Sequence, residues 1–216
     1  MILGPDSPGV VSLAQRLSAT TVRGNHEDKV LLSLSEQRSH HAPLRGPEED
    51  PLTMDDMMDE ESFSHGDYSV RKLAKQLSNE QIHYLQQAPV ILKVGHIQGI
   101  GGIVVVHAGL VPGVPLEHQD PYEVMNMRSI DLDTHLPKEN RDAGTPWEKF
   151  WNHRQGRMRD EERKIVVYGH DSRRGKNIRE WSKGLDSGCV SGGKLTAWVV
   201  EVGKSRVESV KCKNYR

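Results

Sequence analysis

Three polar groups of metal-ligand type stand where apolar runs end. Asn25-His26 follows Ala19-Thr20-Thr21-Val22, His107 follows Ile103-Val104-Val105-Val106, and His170 follows Ile165-Val166-Val167-Tyr168-Gly169. Ligands enter open α/β folds at the carboxyl ends of strands, so three such ends can converge on one site. A single histidine is more often a hydrogen-bonded surface or core residue than a ligand. Three in the same context shift the balance toward a metal. A glycine near each, Gly24, Gly109 and Gly169, lets the backbone come close to an ion or a phosphate. Imidazole nitrogens and an amide oxygen, without paired thiolates, suit Zn, Mn, Fe or Co rather than a structural zinc. Gly99-Ile100-Gly101-Gly102 is no dinucleotide loop, because it opens a strand instead of a helix; it reads as a hairpin turn. The segment 154–179 holds nine Lys or Arg against four acids around His170. It suits either a solvated helical face or a funnel for polyanions.

The elements that position these groups follow from local pattern. Ser7-Pro8 reads as an N-cap with proline at the first helical position, opening a helix over 8–18. Residues 19–22 read as a short strand and 27–36 as helix. Periodicity then vanishes between about 37 and 66, where Pro, His, Ser and acid dominate, so an acidic disordered insertion is expected there; His40, His41 and His65 fall within it. Helical spacing returns at 69–77, and Ser78 with Gln81 forms a capping-box pattern for a further helix carrying Ile82 and Leu85. Strands are expected at 89–94, 103–107 and 165–168, and a closing hairpin at 195–202 and 206–212. Helices first, then strands at hairpin distance, imply α/β layers with a partly antiparallel sheet.

A chain of 216 residues suits one domain with an excursion. The net charge of −1 names no partner, although residues 48–61 hold eight acids and no Lys or Arg. Two cysteines, Cys189 and Cys212, cannot make a disulfide framework, and a reducing compartment is the default. No apolar run approaches membrane-spanning length and no leader pattern opens the chain, so a soluble chain is expected, cytoplasmic as it stands. The basic residues have no aromatic platform interleaved with them, which argues against a nucleic-acid reader.

Arg23-Gly24-Asn25-His26-Glu27, Val106-His107-Ala108-Gly109-Leu110 and Tyr168-Gly169-His170-Asp171, in this order and spacing, resemble the last three signature blocks of the calcineurin-like metallophosphoesterases. Met125–Ser129 and Gly184–Leu195 resemble the branch that holds bacterial-type Ser/Thr phosphatases, symmetrical diadenosine tetraphosphate hydrolases and fungal zinc-dependent endopolyphosphatases. The acidic insertion and the Arg173-Arg174-Gly175 run are most similar to the last group. The resemblance implies an αββα sandwich with mixed sheets. It implies Asn25, His107 and His170 as ligands of one divalent metal, His26 as the acid for the leaving group and Arg128 as a phosphate-gripping arginine.

The substrate class implied is a phosphate ester or anhydride, with polyphosphate preferred and a phosphoprotein or dinucleoside polyphosphate as alternatives. The family's Asp-x-His and Gly-Asp blocks would precede the first helix and do not appear in the sequence. The expectation is therefore an N-terminally incomplete, truncated sandwich over 1–216, holding at most one weakly bound ion where the complete site holds two. Vacuolar residence would require an anchor preceding the sequence. A non-catalytic phosphate or polyanion binder on the same scaffold is the competing expectation.

Overall fold

The computed structural model describes residues 4–39 and 65–215. Helix α1 (Ser7–Arg16) is capped by Asp6, whose carboxylate accepts from the Gly9 amide at 2.9 Å. Ser7, expected in that role, instead lies inside the helix and donates to the Gly4 carbonyl. A carboxylate satisfies the orphan amides of a first turn at least as well as a hydroxyl, so the cap falls one residue earlier. Residues 19–22 are irregular. A strand needs a ladder, and this stretch leads only into a single bond from the Arg23 amide to the Pro89 carbonyl at 2.9 Å. Helix α2 (Asn25–Ser39) starts directly after Gly24, and α3 (His65–Gln76) follows. Both run into the stretch expected to lack structure; the remainder of that acidic insertion, 40–64, including His40 and His41, lies outside the described residues.

The Ser78–Gln81 capping box opens α4 (Asn79–Gln87). The Gln81 amide goes further, donating to the Pro8 carbonyl (2.9 Å) and to Ser12 Oγ (2.8 Å), so the cap also joins α4 to α1. Val11, Val30, Ala74, Ile82 and Leu85 from the four helices, with Leu77 just after α3, close into one buried cluster.

Strands β1 (Ile91–Ile97) and β2 (Gly101–Val106) form an antiparallel hairpin whose turn is the glycine run that mimics a dinucleotide loop. Helix α5 (Pro121–Asn126), the short strands β3 (Ser129–Ile130), β4 (Pro137–Lys138) and β5 (Thr145–Pro146), and helix α6 (Trp147–Gln155) follow. Then come β6 (Lys164–Tyr168), β7 (Asn177–Ile178), β8 (Ser182–Gly184), β9 (Asp186–Ser187), and the hairpin β10 (Lys194–Glu201) and β11 (Lys204–Lys211).

The main sheet has the order β1-β2-β6-β8-β7, parallel between β2 and β6 and between β6 and β8 and antiparallel at both edges. A second sheet is β11-β10-β9 and a small one β4-β3-β5. This is a mixed α/β fold with mixed sheets, as expected. The inward faces of β2 and β6 pack with Trp147, Trp151 and Leu110 into a second buried cluster, in which the Trp147 and Tyr168 rings meet edge to face at 4.8 Å. No helix of the described residues is long and apolar enough to cross a membrane.

Candidate active site

Parallel pairing sets the first two site residues side by side. Val105 of β2 faces Val167 of β6, so both strands end on the same edge. His107 follows one strand directly and His170 follows the other by two residues. The Gly169 amide donates to the His107 carbonyl at 2.9 Å, holding the two ends together. His170 has φ of 68°, a left-handed conformation that non-glycine residues adopt at a cost. Such strain persists where surrounding structure fixes it, and it is concentrated at functional sites.

Asn25 and His26 arrive from the helical side. They occupy the first turn of α2 rather than the end of a strand. Gly24 precedes them as the helix cap: the Asp28 amide donates to its carbonyl at 3.0 Å, and its own amide donates to Glu27 Oε2 at 3.0 Å. Glycine is required at this point, because a Cβ on Gly24 would stand 2.6 Å from His107 Nδ1 and 2.8 Å from Glu27 Oε2. The close approach brings Asn25 Oδ1 to 2.9 Å from His107 Nε2, while His170 Nδ1 lies 3.1 Å from the same nitrogen.

The His170 tautomer follows from its partners. Its Nε2 lies 3.0 Å from the Asn126 carbonyl, which can only accept, so Nε2 carries the proton and Nδ1 keeps a free lone pair toward His107. Burial lowers the His107 pKa to about 3, reinforced by His170, while the Glu27 carboxylate acts in the opposite sense. Burial and then Arg128 lower His170 to about 4. Both rings are therefore neutral at pH 5, the form that binds metals.

Asn25, His26, His107, His170 and Arg128 line one cavity of about 290 Å³, so every residue expected at the site is brought to it. The loop Gly188–Ser191 also lines it. Here the reading of the cysteines is corrected: Cys189 and Cys212 form a disulfide. The bond is possible because the loop folds back on the chain beyond β11. The Cys212 amide donates to the Gly193 carbonyl and the Tyr215 amide to the Val190 carbonyl, each at 3.0 Å. The basic segment 154–179 does not gather around His170 as a whole. Arg154, Arg157, Arg159 and Arg163 precede β6 and Lys164 begins it, about 13 Å of extended chain from the strand end that leads to His170. Arg163 is paired with Asp160 and lies over the Trp181 ring.

Sequence reasoning gave no role to three buried carboxylates, Glu27, Glu148 and Asp171. Asp171 and Glu27 adjoin His170 and His26 in sequence, and an acid beside a ligand-type residue was the available signal. Glu148 offered none.

Among the described residues no three of His, Cys, Asp and Glu come together as a metal cage. The donors that do converge, one amide oxygen and two imidazole nitrogens at separations of 2.9 and 3.1 Å, suit one ion. Neighbouring ligands at bond lengths of about 2.1 Å stand roughly 3 Å apart in octahedral geometry. Asn25, His107 and His170 would hold it.

The depressed histidine pKa values predict a pH dependence for metal-free protein. Between pH 6.5 and the folded values near 4 and 3, the unfolded chain binds more protons than the native one. Stability therefore falls as pH falls through that window and levels off below it. Allowing for partial solvent access, urea unfolding at pH 7 and pH 5 is expected to differ by about 2 kcal/mol. Equal stability at the two values would contradict buried neutral rings.

The comparisons with known proteins place the fold. A protein of Saccharomyces cerevisiae (strain ATCC 204508 / S288c) described as a zinc-dependent endopolyphosphatase is 28% identical over 92% of this chain, which spans 63% of the yeast protein's length. The crystal structure of a candidate diadenosine tetraphosphatase superposes with a TM-score of 0.67 at 31% identity, over 97% of this chain and 76% of that one. A hypothetical protein of Pyrococcus horikoshii OT3 shares the fold, with a TM-score of 0.53 at 12% identity over 99% and 71% of the two chains. The family model for calcineurin-like phosphoesterases matches residues 4–199, and the chain belongs to that family, whose members are phosphoesterase hydrolases that use divalent metals.

Proposed function

We propose that this chain hydrolyses phosphoanhydride or phosphomonoester bonds with the help of a divalent metal, and that polyphosphate is its preferred substrate. The observation that carries the proposal is the convergence of His26, Asn25, His107, His170 and Arg128, from four separate stretches of chain, on one cavity. The description of the yeast relative favours polyphosphate, and that of the structural relative keeps a dinucleoside polyphosphate as the alternative.

Asn25, His107 and His170 hold the ion, which when bound supplies the charge that polarises a phosphoryl oxygen and acidifies water. Arg128 binds the equatorial oxygens of the phosphate with its guanidinium fork. His26 gives a proton to the departing oxygen. A disulfide at the cavity wall persists in an oxidising compartment, so the proposal takes that setting over a reducing cytoplasm.

The second reading is a phosphate binder without turnover. It is favoured by a donor set that includes no carboxylate to offset the charge of the ion.

The test is phosphate release from long-chain polyphosphate, diadenosine tetraphosphate and an aryl phosphate. Each is measured with Zn, Mn, Co or Fe(II) added, and again after chelation. Release that needs metal and is fastest with polyphosphate is expected. Salt-dependent polyphosphate binding without release under any metal would favour the binder.

A further inference from the structure

Behind His170 a run of ion pairs leads outward from the core. Glu148 on α6, 2% exposed, accepts from Arg174 Nη1 at 3.3 Å and from Asn177 Nδ2 at 3.1 Å. Arg174 Nε donates to Asp171 Oδ2 at 3.1 Å. The other Asp171 oxygen pairs with Arg141 Nη2 at 2.8 Å. Asp171 is 7% exposed, whereas the Arg141 side chain is 26% exposed. A buried carboxylate thus holds a partly exposed guanidinium at a fixed position, anchored in turn by a second buried carboxylate.

That position is beside Arg128. Arg128 Nη1 donates to the Glu139 carbonyl at 2.9 Å, and Arg141 lies two residues further along the same connection between β4 and β5. The positive charges are close enough to act on each other: burial lowers the Arg128 pKa, Asp171 opposes this, and Arg141 and Arg173 add to it. Arg128 lines the cavity and Arg141 stands on the connection beside it, with the Asp171 and Glu139 carboxylates acting on Arg128 in the opposite sense to Arg141. Arg128 Nε is moreover buried without a hydrogen-bond partner among the described residues. Like charges held together and a buried donor left unmatched both cost free energy, and an anion lying across Arg128 and Arg141 would offset both.

We propose that Arg141, held in place by Asp171, is a second anion-gripping arginine that binds the phosphate adjoining the one bound by Arg128. The cavity then discriminates in favour of linked phosphates over a single phosphate. This rests on the phosphohydrolase reading of the cavity and adds to it the origin of the preference. Asp171 is a positioning residue.

The experiment uses the full chain with Mn and measures calorimetric binding of inorganic phosphate and of tripolyphosphate, for wild type and for Arg141→Gln, Arg141→Lys, Asp171→Asn and Arg128→Gln. A charge-assisted pair removed from a partly screened site should cost about tenfold in affinity. Arg141→Gln is therefore expected to weaken tripolyphosphate about tenfold and phosphate less than threefold. Arg141→Lys should recover only part of the loss, because a point charge does not reproduce the fork. Asp171→Asn should shift the ratio of the two affinities in the same direction; should that variant unfold, Arg141→Gln decides alone.

Equal weakening of both ligands, or none, would overturn the second grip while leaving the cavity reading intact. Wild type that binds neither ligand, with Arg128→Gln without effect, would overturn the cavity reading and the inference together.

Discussion

Replacing His107 with alanine is expected to leave the protein without bound divalent metal and, in consequence, without metal-dependent turnover. His107 Nε2 is the common neighbour of the other two donors, at 2.9 Å from Asn25 Oδ1 and 3.1 Å from His170 Nδ1, so its removal leaves two donors that no longer share a focus. Partners one shell further out are typically worth 10- to 100-fold in metal affinity, and loss of a direct ligand should exceed about 100-fold. Elemental analysis after dialysis against micromolar metal is the measurement. Retention of metal by the variant at the wild-type ratio would remove His107 from the donor set.

His26→Ala should behave differently. His26 lines the same cavity but is not one of the three converging donors, so metal content should match wild type while turnover falls by about two to four orders of magnitude, the usual worth of a general acid. The loss should depend on the leaving group. Polyphosphate requires protonation of a departing phosphate oxygen, whereas a nitrophenolate leaves without help. The deficit with polyphosphate should therefore be large and that with the activated aryl phosphate small. Equal deficits on both substrates, or metal loss matching that of His107→Ala, would show that His26 does not supply the proton.

Much of this site was legible where chemistry and strand pattern coincide. His107 and His170 each terminate a run of β-branched residues, and parallel pairing of those two runs suffices to bring them together. Asn25 and His26 reach the cavity although the strand expected at 19–22 does not form. The residues themselves carried the signal, while the local conformation depended on a pairing that a short Ala-Thr-Thr-Val run cannot specify. The Ser78–Gln81 cap was legible because it is a local arrangement, completed within three residues.

The Cys189–Cys212 bridge and the Glu148–Arg174–Asp171–Arg141 chain were not. Their partners lie 23 to 30 residues apart in most cases, on elements whose approach is set by packing, which periodicity does not report. Helix α6 was also missed: its stripe of Trp147 and Trp151 is surrounded by charged residues, and its burial against Tyr168 is purely tertiary.

The two buried clusters have a mechanical implication. Asn25 and His26 open α2, which contributes Val30 to the helical cluster, whereas His107 and His170 follow β2 and β6, which contribute Val104 and Val166 to the sheet cluster. His107 to Asn25 is a bond that crosses beside the cavity, and the Arg23 amide bonds the Pro89 carbonyl where α4 leads into β1. An ion or phosphate held by donors from both sides would work as a keystone, because neither half could move off without giving up the ligand. Whatever free energy such an occupant supplied would be gained by the joint between the halves, and occupancy would then set whether the protein opens as one unit or sheds its helices first.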